Sequence, residues 1–191
     1  MSRSRRVNKI KVKELSLHIL DIVQNAITAG ASLVEIGIDE DLQSDTMTIV
    51  VKDNGKGMTA EVLEKVCDPY YTSRTTRRVG LGIPLLKQNA EQTGGRLQLE
   101  SEPGKGTLLE AVFGHQHIDR PALGDMPGVV AMLCGANPDM DFVYRHRAGE
   151  GYYCFDTREV KEALEGLPIS EAGVIRFIRE MIRENLDVLN Q

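Results

Sequence analysis

The chain has 191 residues, 41% of them apolar and 27% charged, with a net charge of −5. That length suits one ordinary core with an appendage, the composition is that of a soluble globular chain and not a disordered one, and no run approaches the ~18 consecutive apolar residues of a membrane span. Cys67, Cys134 and Cys154 form no C-x-x-C and follow no secretory leader, so a reducing cytoplasm is the expected compartment.

Residues 1–13 hold six of the 23 basic residues and no acid; taking those six charges away leaves −11 on residues 14–191. The expectation is a basic arm, bounded at 1–11, on an acidic body. The arm reads as a solvated terminus or as a contact for nucleic acid or an acidic partner, and the lack of aromatic interleaving and of a basic body disfavours nucleic acid.

Residues 13–29 carry apolar side chains at helical spacing and stop at Ala29-Gly30-Ala31. Residues 33–38 alternate and residues 46–52 are almost continuously β-branched, which predicts an antiparallel pair across a turn. A short helix follows over 59–66, capped by Thr59 with Glu61 in its first turn. Residues 67–79 read as a polar loop. Residues 81–93 read as a helix despite Pro84, which is tolerated only in a first turn and so places the start near Leu81 or Gly82. Segments 96–101 and 107–113 form a hairpin across Pro103-Gly104-Lys105-Gly106. The order predicts a two-layer α/β sandwich of α+β class, its sheet mixed and mainly antiparallel, with helices on one face. Residues 115–191 read as a small α+β extension: a turn-rich linker 118–128, an apolar stretch 129–133, strands near 141–145 and 151–155, and helices near 157–165 and 169–189.

Three places hold the residue types of a phosphate site. Glu14, His18, Asp21 and Asn25 fall on one face of the first helix, either a solvated stripe or a neutral oxygen ligand for Mg²⁺ with a carboxylate one turn away. Asp53-Asn54-Gly55-Lys56-Gly57-Met58 lies where a strand ends and a helix begins. Its glycines can bring backbone close to a ligand, and the Asp53 carboxylate can accept a hydrogen bond from an amino group such as that of adenine. Gly55-Lys56-Gly57-Met58-Thr59-Ala60 also fits a dinucleotide fingerprint, but the preceding strand enters a short hairpin and not a βαβ unit, which disfavours that reading. Gly80-Leu81-Gly82-Ile83 precedes a helix whose N-terminal amides suit phosphates, and the hydroxyl- and Arg-rich loop before it can close over a triphosphate. His115, His117 and Asp119 would share one side of an extended segment; the choice there is between a metal ligand set and a strand end leaving the core.

In this order the elements closely resemble the GHKL nucleotide-binding superfamily, shared by gyrase, Hsp90, histidine kinases and MutL. The N-box is similar to residues 21–31, the first glycine box to Asp53-Asn54-Gly55-Lys56-Gly57-Met58, and the second to Gly80-Leu81-Gly82-Ile83. Asp68-Pro69-Tyr70-Tyr71-Thr72-Ser73-Arg74 resembles the opening of a histidine-kinase lid, and Gly104-Lys105-Gly106-Thr107 the last box. The resemblance covers residues 12–114 and implies a site for Mg·ATP. Within it Asn25 holds Mg²⁺, Asp53 reads the adenine amino group, and Thr107 holds the base through water. Gly55, Gly57, Met58, Thr72, Arg74, Gly80, Leu81, Gly82 and Ile83 complete the nucleotide contacts. Asp21 stands where many members have Glu, and is the implied catalytic residue.

The chain is therefore expected to be a stand-alone ATP-binding signalling protein similar in layout to the small anti-sigma-factor kinases, with 77 further residues. It would transfer the γ-phosphoryl group to an unidentified protein partner or hydrolyse ATP slowly. The alternative is a non-catalytic switch, gated by nucleotide through its lid and extension. A broad apolar face on the last helix, including Val174, Phe177, Ile178 and Met181, packs on its own domain or serves a homodimer.

Overall fold

The computed structural model of the chain describes residues 14–66 and 82–189. Its elements are α1 (Leu15–Thr28), β1 (Leu33–Asp41), β2 (Thr46–Asp53), α2 (Ala60–Val66), α3 (Gly82–Gln92), β3 (Arg96–Glu102) and β4 (Gly106–Gly114). These are followed by α4 (Met126–Ala136), β5 (Asp141–Ala148), β6 (Gly151–Asp156), α5 (Thr157–Ala163) and α6 (Ala172–Leu189). The predicted fold class is observed. Four of the five strand pairings are antiparallel, and β1 with β5 is the parallel one.

Alternation along each strand sorts the side chains by face. Val34, Ile36 and Ile38 of β1 align with Ile49 and Val51 of β2 and with Phe142 and Tyr144 of β5, and all are buried. The opposite face carries charge: Glu35 pairs with Arg145 at 2.6 Å and with Lys52 at 3.8 Å, and Arg147 pairs with Asp39. One face is thus dry and the other wet, which is why helices cover the first alone. They touch one another in the order α3, α1, α4, α6, above the strand order β3-β4-β2-β1-β5-β6.

Strands β5 and β6, which the sequence places in an extension, continue this sheet beyond β1, and α4 and α6 share the same buried core as α1 and α3. Local periodicity shows that 141–148 is a strand but not which edge it joins; the register Val34↔Phe142 and Ile36↔Tyr144 decides that through shared apolar burial. The apolar stretch at 129–133 belongs to α4, whose start Asp125 fixes by accepting the Gly128 amide at 2.9 Å. The linker ahead of it does local work too. Ala122 and Leu123 carbonyls accept the Leu15 and Ser16 amides at 2.9 and 2.7 Å, satisfying donors that α1 leaves open at its start.

No described helix is long and apolar enough to cross a membrane. The basic arm, the loop 67–79 and the site candidates Thr72, Arg74, Gly80 and Leu81 lie outside the described residues.

Candidate functional site

Helix α1 turns its polar stripe in two directions. His18 is 3% exposed and its Nε2 lies 3.3 Å from Asn89 Nδ2 on α3, so it belongs to the contact between the two helices. Glu14, Asp21 and Asn25 are exposed. Asp21 stands against the start of α3: a Cβ built on Gly82 would lie 3.0 Å from the Asp21 Cβ. The carboxylate is thereby held beside the first turn of an 11-residue helix, where unpaired amides and the helix dipole favour negative charge. Asn25 follows one turn later, and no hydrogen bond from the described residues engages its side chain. Ile83, the next residue of α3, is buried.

Asp53 closes β2. Its Oδ1 accepts the Gly55 amide at 2.8 Å. Burial pushes its carboxyl above the ordinary value, and amide donors from Gly55 and Thr107 pull partly against this. Thr107 is its cross-strand partner on β4. Asp53 and Thr107 line a hollow of about 260 Å³ at the strand ends, smaller than the usual small-molecule site.

The box glycines serve the chain's own backbone. Gly57 (φ +65°) and Gly106 (φ +95°) are left-handed, and a Cβ on either would lie 2.0 Å from a carbonyl oxygen, that of Glu102 for Gly57 and that of Asp53 for Gly106. At Gly57, where the sequence suggested close approach to a ligand, the missing Cβ instead admits the β3–β4 turn, which closes on the first glycine box. Gly55 is similarly tight, with Ala29 Cβ 3.0 Å from its built Cβ. Met58 is placed through its amide, which donates to Ser101 Oγ at 2.8 Å.

Two residues that sequence reasoning assigned no role organise this region. Asn54 Oδ1 accepts the Ser32 and Leu33 amides at 2.9 and 3.0 Å, while its Nδ2 donates to Ser32 Oγ at 2.9 Å. Ser101 Oγ, besides accepting from Met58, bonds the Gly106 carbonyl at 2.8 Å and lies 3.0 Å from Thr107 Oγ1. With Lys56 N donating to Ala29 O and Gly104 N to Lys56 O, the end of α1, the glycine box and the hairpin turn form one hydrogen-bonded unit. The signal for Ser101 was its position opposite Thr107 in the hairpin; for Asn54 it was an Asx residue at the strand exit.

The histidines of 115–119 do not assemble a metal site. His115 Nε2 bonds Glu40 at 2.8 Å, His117 Nδ1 accepts the Asp119 amide at 3.1 Å, and among the described residues no three His, Cys, Asp or Glu side chains converge to hold a metal. His146 Nε2 reaches the other Glu40 oxygen at 2.8 Å, and Tyr144 OH lies 2.8 Å from His146 Nδ1. His115 is thus tied to β5 by a shared carboxylate.

A two-layer sandwich with Asp21 against the start of α3, Asn25 one turn further along α1 and a strand-terminal Asp53 held by amides is the arrangement that the sequence resemblance implies. Residues 11–116 match the family described as histidine kinase-, DNA gyrase B-, and HSP90-like ATPase, and the chain belongs to it. It is similar to sporulation kinase C of Bacillus subtilis, 30% identical over 100 residues, 52% of this chain and 23% of that protein. It is also similar to sensor histidine kinase ZraS of Klebsiella oxytoca, 43% identical over 93 residues, 48% and 20% of the two chains. The chain thus spans about a fifth of the length of these relatives. Among solved structures, the N-terminal domain of a DNA repair protein shares the fold at a TM-score of 0.55 and 15% identity, covering 75% of this chain and 52% of that one.

Proposed function

We propose that the chain binds Mg·ATP between the Asp21–Asn25 face of α1, the start of α3 and the Asp53 box, and passes the γ-phosphoryl group to a side chain of a partner protein, with slow hydrolysis when water takes the acceptor's place. The observation that carries this reading is Asp21 held against Gly82, one turn from Asn25. An acceptor oxygen attacks the γ-phosphorus, the bond from that phosphorus to the β–γ bridging oxygen breaks, ADP leaves, and Asp21 orients the attacking hydroxyl and accepts its proton.

Asn25 supplies a neutral, exposed carboxamide oxygen of the kind a hard cation takes alongside phosphate oxygens, so the residues fit Mg²⁺. When bound, Mg²⁺ neutralises charge developing on the phosphates. Amides at the start of α3 favour the phosphate end, and Asp53, already accepting from two amides, directs its remaining acceptor capacity to the adenine amino group. A cytoplasmic location is part of this reading, since that is where ATP and a reducing environment coincide with three cysteines that form no C-x-x-C pair.

The test combines thermal shift with a labelled γ-phosphate assay. ATP at ~100 Kd stabilises by ~2.7 kcal/mol, only with Mg²⁺ if Asn25 holds the metal, so Asn25→Ala loses the Mg-dependent part. Asp21→Asn keeps the ATP shift and loses phosphate release and transfer. Equal turnover in wild type and Asp21→Asn would remove Asp21 from the reaction.

A further inference from the structure

The register of the sheet puts three polar side chains in one row. Asp53 of β2 stands opposite Thr107 of β4, and Thr107 stands opposite Ser101 of β3. Alternation gives all three the face of Val51 and Leu109, which are buried under the helices. The row is therefore on the side of the sheet where α1 and α3 frame the nucleotide site.

A count of hydrogens along this row fixes which way each group points. Ser101 Oγ has one hydrogen and two lone pairs. It accepts the Met58 amide at 2.8 Å and lies 2.8 Å from the Gly106 carbonyl, which can only accept, so its hydrogen goes to that carbonyl. Thr107 Oγ1, 3.0 Å from Ser101 Oγ, is then the donor of that pair and fills the second lone pair. With the roles reversed, the Ser101 and Gly106 oxygens would face each other at 2.8 Å with no hydrogen between them. The Thr107 amide is spent as well, on the Asp53 carboxylate, which also takes the Gly55 amide. Both polar hydrogens of Thr107 are thus held inside the protein, and ionised Asp53 and Thr107 together offer a ligand acceptors alone.

We propose that Ser101 is a positioning residue for base selection: by taking the Thr107 hydrogen it keeps this end of the site free of donors, so that the site takes a purine nucleotide with a 6-amino group and turns away one with a 6-keto group. The amino group donates to Asp53, and a water sends one hydrogen to Thr107 and the other to the ring nitrogen beside the amino group. A 6-keto purine brings an oxygen against the carboxylate, and Thr107 has no hydrogen free to lie between them. Facing acceptors without a hydrogen to share are what a selective site sets against the wrong ligand. The inference rests on the Mg·ATP reading and adds to it the residue that sets the base.

Titrations of the full chain with Mg·ATP and Mg·ITP test this, since the two nucleotides differ only at position 6 and in the hydrogen on the adjacent ring nitrogen. In Ser101→Ala the Thr107 hydroxyl turns and lends its hydrogen to the keto oxygen, so the ratio of ATP to ITP affinity is expected to fall about fivefold, the worth of one hydrogen bond. Ser101→Thr keeps the one hydrogen and both lone pairs and is expected to hold the wild-type ratio. On a Thr107→Val background, Ser101→Ala should leave the ratio where it stands, because no hydroxyl remains to turn. A loosened hairpin turn alone would lower both affinities together and not move the ratio. Should Ser101→Ala fail to fold, Ser101→Cys, a weaker acceptor of similar size, carries the same expectation at about twofold. If ATP binds but the ratio is unmoved in these variants, or falls equally without the Thr107 hydroxyl, the role of Ser101 is overturned and the Mg·ATP reading stands. A wild type that binds neither nucleotide overturns both.

Discussion

Asp21 and Gly82 are in contact across the α1–α3 junction, and the glycine hydrogen is what leaves room for the acid: a methyl there would sit 3.0 Å from the Asp21 Cβ. Gly82→Ala is therefore expected to displace Asp21 by a few tenths of an ångström. Alanine raises helix propensity at that position by up to ~1 kcal/mol, so unfolding stability should change little. Turnover of labelled γ-phosphate should fall by about tenfold, a fraction of the ~100-fold that a 1 Å misplacement costs. Unchanged turnover would separate the start of α3 from the chemistry.

Gly57 and Gly106 make a different expectation. Both have positive φ, and both face a backbone carbonyl at a distance no Cβ can share. Gly57→Ala or Gly106→Ala should cost about 2–4 kcal/mol, lowering the melting temperature by ~2–4 °C per kcal/mol in a domain of this size. Gly30→Ala and Gly104→Ala, also at positive φ but with nothing within 4 Å of the added carbon, should cost only ~1–2 kcal/mol. Equal losses in the two pairs would mean that conformation alone, and not the packing of the turn on the glycine box, sets the penalty.

That contrast shows where the sequence was legible. The strand and helix segments were readable because burial of one face imposes a period, and the positions of Asp21, Asn25, Asp53 and Thr107 followed from motif order. What a period does not encode is which backbone a glycine admits. Gly57 reads as clearance for a ligand, whereas the Glu102 carbonyl occupies the side its Cβ would take, and Gly106 meets the Asp53 carbonyl in the same way. His18 likewise shares its helix face with Asp21, yet contact with Asn89, 71 positions away, draws it inside. The parallel pairing of β1 with β5 was hidden for the same reason, since it joins residues more than a hundred positions apart.

Glu40 links stability to pH. The hydrogen bond from His146 outweighs burial and, with His115, holds the carboxyl down at about 2, against an ordinary 4.5. A carboxyl depressed in the folded state contributes stability that is fully present above about pH 4.5 and is lost as pH falls from there toward 2. Glu40→Gln should lower stability at pH 7 by about 1–3 kcal/mol, the range for hydrogen bonds to a charged group. It should also flatten the decline between pH 4.5 and 2. Urea unfolding of both proteins across that window is the measurement, and parallel curves would show that the carboxylate is not the group responsible.

Asn54 separates two roles that a single truncation would merge. Its Oδ1 receives two amides from the chain entering β1, and its Nδ2 reaches Ser32 Oγ. Asn54→Asp retains an acceptor for both amides and, once ionised, strengthens those bonds, while losing only the donor to Ser32, whose hydroxyl can turn to donate instead. Asn54→Ala leaves both amides to water. Asn54→Asp should therefore cost less than ~0.5 kcal/mol and Asn54→Ala about 1–2 kcal/mol in chemical unfolding, since water reaches the freed amides. Since the Asn54 Oδ1 bonds tie the strand exit toward Gly55 to the chain entering β1, Asn54→Ala should additionally weaken ATP binding in a titration where Asn54→Asp does not. If Asp proves as damaging as Ala, the donor to Ser32 is the essential contact and the two amides are not.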